Sequence, residues 1–119
     1  MGIGYKRADR VADVILKEIS QMILKEDIKD PRVQSVVLTN IKVTDDLSMA
    51  RVFFTVMGDA VSREEILLGL RSASGFIKRE LSKRIRMRRV PNLQFEFDTV
   101  LEQGYRIDDL LRGAKVERS

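Results

Sequence analysis

Residues 62–93 read SREEILLGLRSASGFIKRELSKRIRMRRVPNL, and the division of this stretch decides the fold. Ser62 and Glu65 have the Ser-x-x-Glu spacing of a capping box, in which hydroxyl and carboxylate satisfy backbone N–H groups at a helix start. Ile66, Leu67, Leu70, Ala73, Ile77, Leu81 and Ile85 then recur at helical spacing until Pro91 ends the tract. Unbroken, such a helix would run about 24 residues, about twice the usual globular length. Ala73-Ser74-Gly75 lies at its middle. The small side chains there permit close backbone approach, and Gly75 weakens a helix by about 1 kcal/mol relative to Ala. The expectation is two helices joined by a sharp kink at Ala73, Ser74 and Gly75, and a helix running straight through residue 75 would overturn it.

The same stretch carries the charge. Residues 61–90 hold nine Lys or Arg against three acids, whereas the sixty residues before them balance at nine against nine. From Lys78 to Arg89 the cations are Lys78, Arg79, Lys83, Arg84, Arg86, Arg88 and Arg89, with Glu80 the one acid among them. At about 100° per residue, Leu81 and Ile85 stay within about 80° of Ile77 while Arg79, Lys83 and Arg86 fall about 180–240° away. One side is thus apolar and the other cationic, with Arg84, Arg88 and Arg89 extending the stripe around the helix end. A solvated helix face with cations near its carboxyl terminus is the bland explanation. Against it stands the count, because mutual repulsion among seven cations is poorly offset without a polyanion. Five Arg to two Lys favours forked hydrogen bonds to phosphate oxygens, contacts that position a nucleic-acid backbone without reading its sequence. Lys6, Arg7 and Arg10 offer a second contact, although three cations near a terminus are often simply solvated. Tyr5 and Tyr105 are read as partly buried tyrosines in preference to stacking platforms.

Outward from this stretch, Val11, Ala12, Ile15, Ile19, Met22 and Ile23 mark one face of a helix from Ala8 to about Glu26, stopped by Asp27, Asp30 and Pro31. Residues 33–44 read as a strand with Val37, Thr39, Ile41 and Val43 on one face. Asp45-Asp46-Leu47-Ser48 turns the chain into a second strand, with Ala50, Val52, Phe54 and Val56 facing a core. Phe53 and Met57 fall on the other side as a small apolar contact patch for protein partners. Leu93, Phe95 and Phe97 alternate as a third strand, and residues 106–111 suggest a final turn of helix. The fold class is therefore α+β, three helices on one face of a three-stranded sheet. The organisation is an arm over 1–7, one domain over 8–112 and a loose tail over 113–119.

A chain of 119 residues supports one core, and no apolar run reaches the roughly 20 residues that span a bilayer. Residues 1–6 carry no apolar signal segment, so a cytoplasmic location without membrane contact is expected. The chain has no Cys and no His, which removes disulfides, thiolate and imidazole metal ligands and the side chain best suited to proton transfer near neutrality. No cofactor or metal is called for. Asp45-Asp46 and Asp108-Asp109 are the pairs from which an RNA-processing enzyme would hold Mg²⁺, and a hairpin turn and a helix start explain them more simply.

Taken with the element order, Ala73-Ser74-Gly75 followed by Phe76-Ile77-Lys78-Arg79-Glu80-Leu81 resembles a KH domain of the bacterial type, type II. More closely, the chain is similar to the ribosome-binding factor A family. The likeness also covers Arg10-Val11-Ala12, Val43-Thr44-Asp45-Asp46 and Arg88-Arg89-Val90-Pro91-Asn92-Leu93, and spans roughly Ala8 to Tyr105. Ordinary KH domains grip four nucleotides with a GxxG loop. Here Gly69 and Gly75 are too far apart to form one, and the family's Ala-x-Gly kink occupies the junction. The resemblance implies a non-catalytic assembly factor, monomeric when free. Its implied partners are the 30S ribosomal subunit, that subunit's precursors and 16S ribosomal RNA. Its implied role is in late maturation, in processing at the 16S 5′ end and in growth in the cold.

Two other readings compete: a protein-binding adaptor using the exposed sheet face, and a DNA-binding protein, since phosphate contacts alone do not separate DNA from RNA.

Overall fold

The computed structural model describes residues 6–99. Its elements are helix α1 (Arg7–Leu24), a short 3-10 turn (Pro31–Val33), strands β1 (Val36–Val43) and β2 (Met49–Val56), helix α2 (Arg63–Arg84) and strand β3 (Asn92–Phe97). Residues 1–5 and 100–119 lie outside the described residues, and with them Tyr5, Tyr105, Asp108-Asp109, the expected final helical turn and the tail. Arg7, expected in an arm over 1–7, is the first residue of α1.

Helix α1 forms because Ala8, Ala12, Ile15, Ile19, Met22 and Ile23 make one buried stripe. At its start the Lys6 N–H donates to Asp9 Oδ2 at 2.8 Å. Its end comes before Asp27 and does not need Pro31. Glu26 takes a left-handed conformation (φ 59°), the Glu26 N–H donates to the Ile23 carbonyl and the Asp27 N–H to the Met22 carbonyl. That is the paired closure of a Schellman turn.

The hairpin forms as expected, β1 antiparallel to β2, with one difference in facing. The register slips between Leu38 and Asn40, so Thr39 is an extra residue in β1. Because side chains alternate with period two, the bulge reverses the parity of the strand. Ile41 is buried after it, but Val36 and not Val37 is buried before it, and Val37 is 42% exposed. Thr39 Oγ1 instead donates to Asp98 Oδ2 at 2.6 Å, holding the end of β3. In β2 the expected facing holds, with Ala50, Val52 and Phe54 fully buried. Helix α2 then carries the chain back, so β3 runs parallel to β2 and the sheet order is β1-β2-β3. Both helices cover the face bearing those three side chains, in one core that also includes Ile66, Leu70, Ile77, Leu81 and Phe95.

The expected break in the long helix is not there. Helix α2 is a single 22-residue helix through Ala73, Ser74 and Gly75, giving two helices where three were expected. Tertiary packing outweighs the glycine: Ile66, Leu70, Ala73, Ile77 and Leu81 hold one continuous buried stripe on both sides of it. Gly75 itself is exposed, and an added Cβ would meet only an Arg79 nitrogen at 3.6 Å. Gly75→Ala is therefore expected to stabilise the protein by about 0.5–1 kcal/mol, read as a higher urea midpoint. A lower midpoint would restore the kink. Gly69, by contrast, is needed: a Cβ there would lie 3.0 Å from Arg32 Cβ and 3.1 Å from Val33 Cγ1, where the 3-10 turn presses on α2.

The capping box at α2 forms by half. Ser62 Oγ accepts from the Glu65 N–H at 3.2 Å, while the Glu65 carboxylate is drawn 3.4 Å from Arg32. Arg32 also grips Asp30 at 2.7 Å, Arg51 grips Glu96 at 2.8 Å, and Asp46 accepts from Ser48 and Thr44 in the hairpin turn. These hydrogen bonds hold the carboxyls of Asp30, Asp46 and Glu96 below their ordinary values. Each binds fewer protons folded than unfolded in mild acid. Their stabilisation is complete above the ordinary carboxylate range, about pH 4, and is lost as pH falls through the lower folded values. Urea midpoints should hold steady from neutrality to about pH 5 and decline below about pH 4, the decline shallower in Asp46→Asn.

Candidate nucleic-acid interface

The seven cations from Lys78 to Arg89 divide into two groups. Lys78 Nζ donates to Asn92 Oδ1 at 2.6 Å, tying α2 to the start of β3. Lys83, itself exposed, sits 3.2 Å from Glu80, one turn back on α2. Arg84 is the most committed. Its guanidinium lies 3.6 Å from Glu18, 3.4 Å from Asp27 and 3.3 Å from Glu80, with 29% of the side chain exposed. It clamps the end of α2 to α1 and to the turn after it, so this exposed residue shares its charge with three carboxylates.

Arg79, Arg86, Arg88 and Arg89 form the second group. All four are exposed, and among the described residues none makes an ion pair. Arg79 is on α2, but the setting of the other three differs from a helical stripe, because α2 ends at Arg84. Ile85 is buried in an extended conformation (φ −120°, ψ 144°) and the Met87 N–H donates to the Ile85 carbonyl at 3.0 Å. Burying Ile85 outside the helix turns the chain, so Arg86, Arg88 and Arg89 stand on an irregular segment and their helical-wheel positions do not apply.

That turn brings the amino-terminal cations into the same place. A groove of about 510 Å³ is lined by Arg7, Arg10, Val11 and Val14 from α1 and by Arg84, Ile85, Arg86 and Met87 from the segment ending α2. Two cationic groups remote in sequence thus line one groove together with four apolar side chains. Arg7 is exposed and makes no ion pair among the described residues. Lys6 points elsewhere, 3.4 Å from Asp45.

The expected Phe53–Met57 patch does not form as a unit. Phe53 is half-buried and covered by the Arg51 guanidinium, 5.1 Å from its ring centroid. Met57, 72% exposed, instead borders a groove of about 460 Å³ with Leu24, Val37 and Leu38. Sequence reasoning missed the groove because the bulge that turns Val37 outward has no Gly or Pro to announce it. Arg71 was also passed over; it is exposed, beside Ser74 and β3. Among the described residues no group of three or more acidic side chains is arranged to hold a metal ion, and no helix is long and apolar enough to cross a membrane. The Asp46 carboxylate is engaged within its own turn.

The fold and sequence match known proteins. A protein from Syntrophus aciditrophicus (strain SB) called ribosome-binding factor A is 48% identical over 107 residues, covering 90% of this chain and 86% of that one. The crystal structure of ribosome-binding factor A from Thermus thermophilus superposes with a TM-score of 0.67 at 22% identity, covering 76% of this chain and 93% of that one, which establishes the KH-like fold. A Thermus thermophilus ribosome-binding factor A model fitted into a cryo-EM map of its 30S complex gives a TM-score of 0.53 at 23% identity, over 69% of this chain and 89% of that one. The family model for ribosome-binding factor A matches residues 7–111. With nearly the whole chain matched in sequence and its described core matched in fold, this protein belongs to the ribosome-binding factor A family.

Proposed function

We propose that the protein is a non-catalytic assembly factor that acts as a cytoplasmic monomer on the small ribosomal subunit. It binds 30S precursors through 16S rRNA phosphates, assists late maturation and processing at the 16S 5′ end, and matters most in the cold. The carrying observation is the convergence of Arg7 and Arg10 with Arg86 on one groove, continued by Arg88 and Arg89, in a member of this family. A 30S complex of the Thermus thermophilus relative supports the partner. Binding of this kind favours one RNA arrangement over another, a population shift that breaks no bond.

The test is co-sedimentation of the full-length chain with purified 30S precursors across a salt series. Association at low salt should fall linearly in log–log form, with a slope of about 0.7–0.9 per phosphate contacted. A flat salt response or no association rejects the reading. The protein-binding adaptor is the second reading, favoured by the apolar groove beside Leu24, Val37 and Met57. Salt-insensitive capture of an isolated small-subunit protein, with no affinity for RNA, would select it.

A further inference from the structure

We propose that the groove between the first two turns of α1 and residues 84–87 holds one unpaired nucleotide of an RNA strand, with the base on the apolar floor and the flanking phosphates on the arginine rim. The proposal rests on the RNA-binding reading above and names the form of RNA that this site takes.

Phosphate contact alone explains the rim and leaves the floor unexplained. Val11, Val14, Ile85 and Met87 are the apolar half of the groove's lining, the floor of the proposal, and Val14 is 42% exposed. A duplex presents a ridge of phosphates with its bases stacked inside, and would leave those side chains wet. An unstacked base has an apolar face to cover them, and single strands are recognised by splaying bases onto such surfaces. The floor has no aromatic ring, but a methionine thioether packs favourably against an aromatic ring at about 5 Å, so Met87 can take that role. A volume of about 510 Å³ is within the size range of small-molecule sites.

The rim suits a strand as well. All four cations on it are arginines, two from each segment, and the fork of a guanidinium matches phosphate oxygens. Arg84 is held by carboxylates and Arg10 has an interaction of its own, so Arg7 and Arg86 are the pair assigned to the flanking phosphates. Beyond Met87 the exposed side chains are Arg88 and Arg89, a continued track of positive charge. An acidic amphipathic peptide would need further apolar contacts there, and among the described residues no large exposed apolar side chain follows Met87. The site also lies at the carboxyl end of α2, away from residues 73–75 at the middle of the helix, where the GxxG clamp of an ordinary KH domain would sit.

The full-length chain is titrated by fluorescence anisotropy into a labelled mixed-sequence RNA of about twelve nucleotides, and into the same strand annealed to its complement. Val14→Ser with Met87→Gln should weaken strand binding by about tenfold and leave duplex binding unchanged, since a base contact is worth roughly that much. Arg7→Glu with Arg86→Glu should weaken both. Equal effects of the floor variant on both RNAs, or none, overturn the proposal while the RNA-binding reading stands. Failure of the native chain to bind either RNA overturns both. Tighter binding of a Glu- and Leu-rich peptide than of the strand gives the groove to a protein partner and overturns it too. Should the floor variant unfold, photocrosslinking of a 4-thiouridine strand to the native chain decides: adducts within residues 7–14 or 84–87 support the site, and adducts confined elsewhere remove it.

Discussion

Replacing Arg79, Arg86, Arg88 and Arg89 together with Glu abolishes small-subunit association and leaves the fold intact. The four guanidiniums are exposed and have no carboxylate partner among the described residues, so their removal breaks no ion pair there. Surface changes of this kind usually move stability by less than about 0.5 kcal/mol each, and here they also relieve repulsion. The effect on binding is far larger. Screened contacts worth about 0.7 kcal/mol apiece sum to roughly 3 kcal/mol, about a hundredfold in affinity, before the repulsion of four new negative charges is added. The corresponding change to Ala should cost less and should flatten the salt dependence by a slope of about 3. Co-sedimentation with 30S precursors and thermal melts of the same preparations measure both sides. Arg84→Ala is the informative contrast. It leaves Glu18, Asp27 and Glu80 without their shared cation, so it should lower stability by about 1 kcal/mol and leave the salt slope nearly unchanged. If Arg84→Ala instead weakens association as much as the quadruple variant, the division between clamping cations and those proposed to contact RNA is wrong.

That division was the part least legible in the sequence. Charge count and spacing located the cationic region, because an excess of seven cations over one acid is visible in any chain. They said nothing of which cations are satisfied. Glu18 and Asp27 are far from Arg84 in sequence, and only the packing of α1 against α2 brings them within reach. Element identity was easier. The apolar periodicity of α1 and the facing of β2 followed from local pattern, since each buries one side against the same core. The errors came where a local signal competed with tertiary structure. Gly75 argued for a break, but the buried stripe from Ile66 to Leu81 continues on both sides of it. The strand pattern put Val37 inside, yet one extra residue at Thr39 turned it out. Arg7 and Arg10 were read as a separate contact, and they join Arg86 because Ile85 leaves the helix to reach the core.

Phe54→Ala lowers the melting temperature by about 12–20 °C, the largest stability effect expected of any single change on the sheet. Phe54 is fully buried on the central strand, where it pairs with Leu38 of β1 and Phe97 of β3. Its ring centroid lies 4.4 Å from that of Phe97, over which the Arg63 guanidinium sits at 4.3 Å. Truncation removes the ring and leaves a cavity between the sheet and the helices, a loss of about 3–5 kcal/mol. For a domain of this size the whole stability is about 5–15 kcal/mol, and each kcal/mol moves the midpoint by roughly 4 °C. The neighbouring Phe53→Ala serves as the control. Phe53 is on the opposite face, half-buried beneath Arg51, and its loss leaves a guanidinium that keeps its bond to Glu96. Its cost should be about 1 kcal/mol. The ratio matters more than either value. Two phenylalanines adjacent in sequence differ several-fold only if one side of β2 faces the helices and the other faces water. Equal melting temperatures for the two variants would remove the two-layer arrangement that places α1 and the end of α2 side by side, and with it the groove.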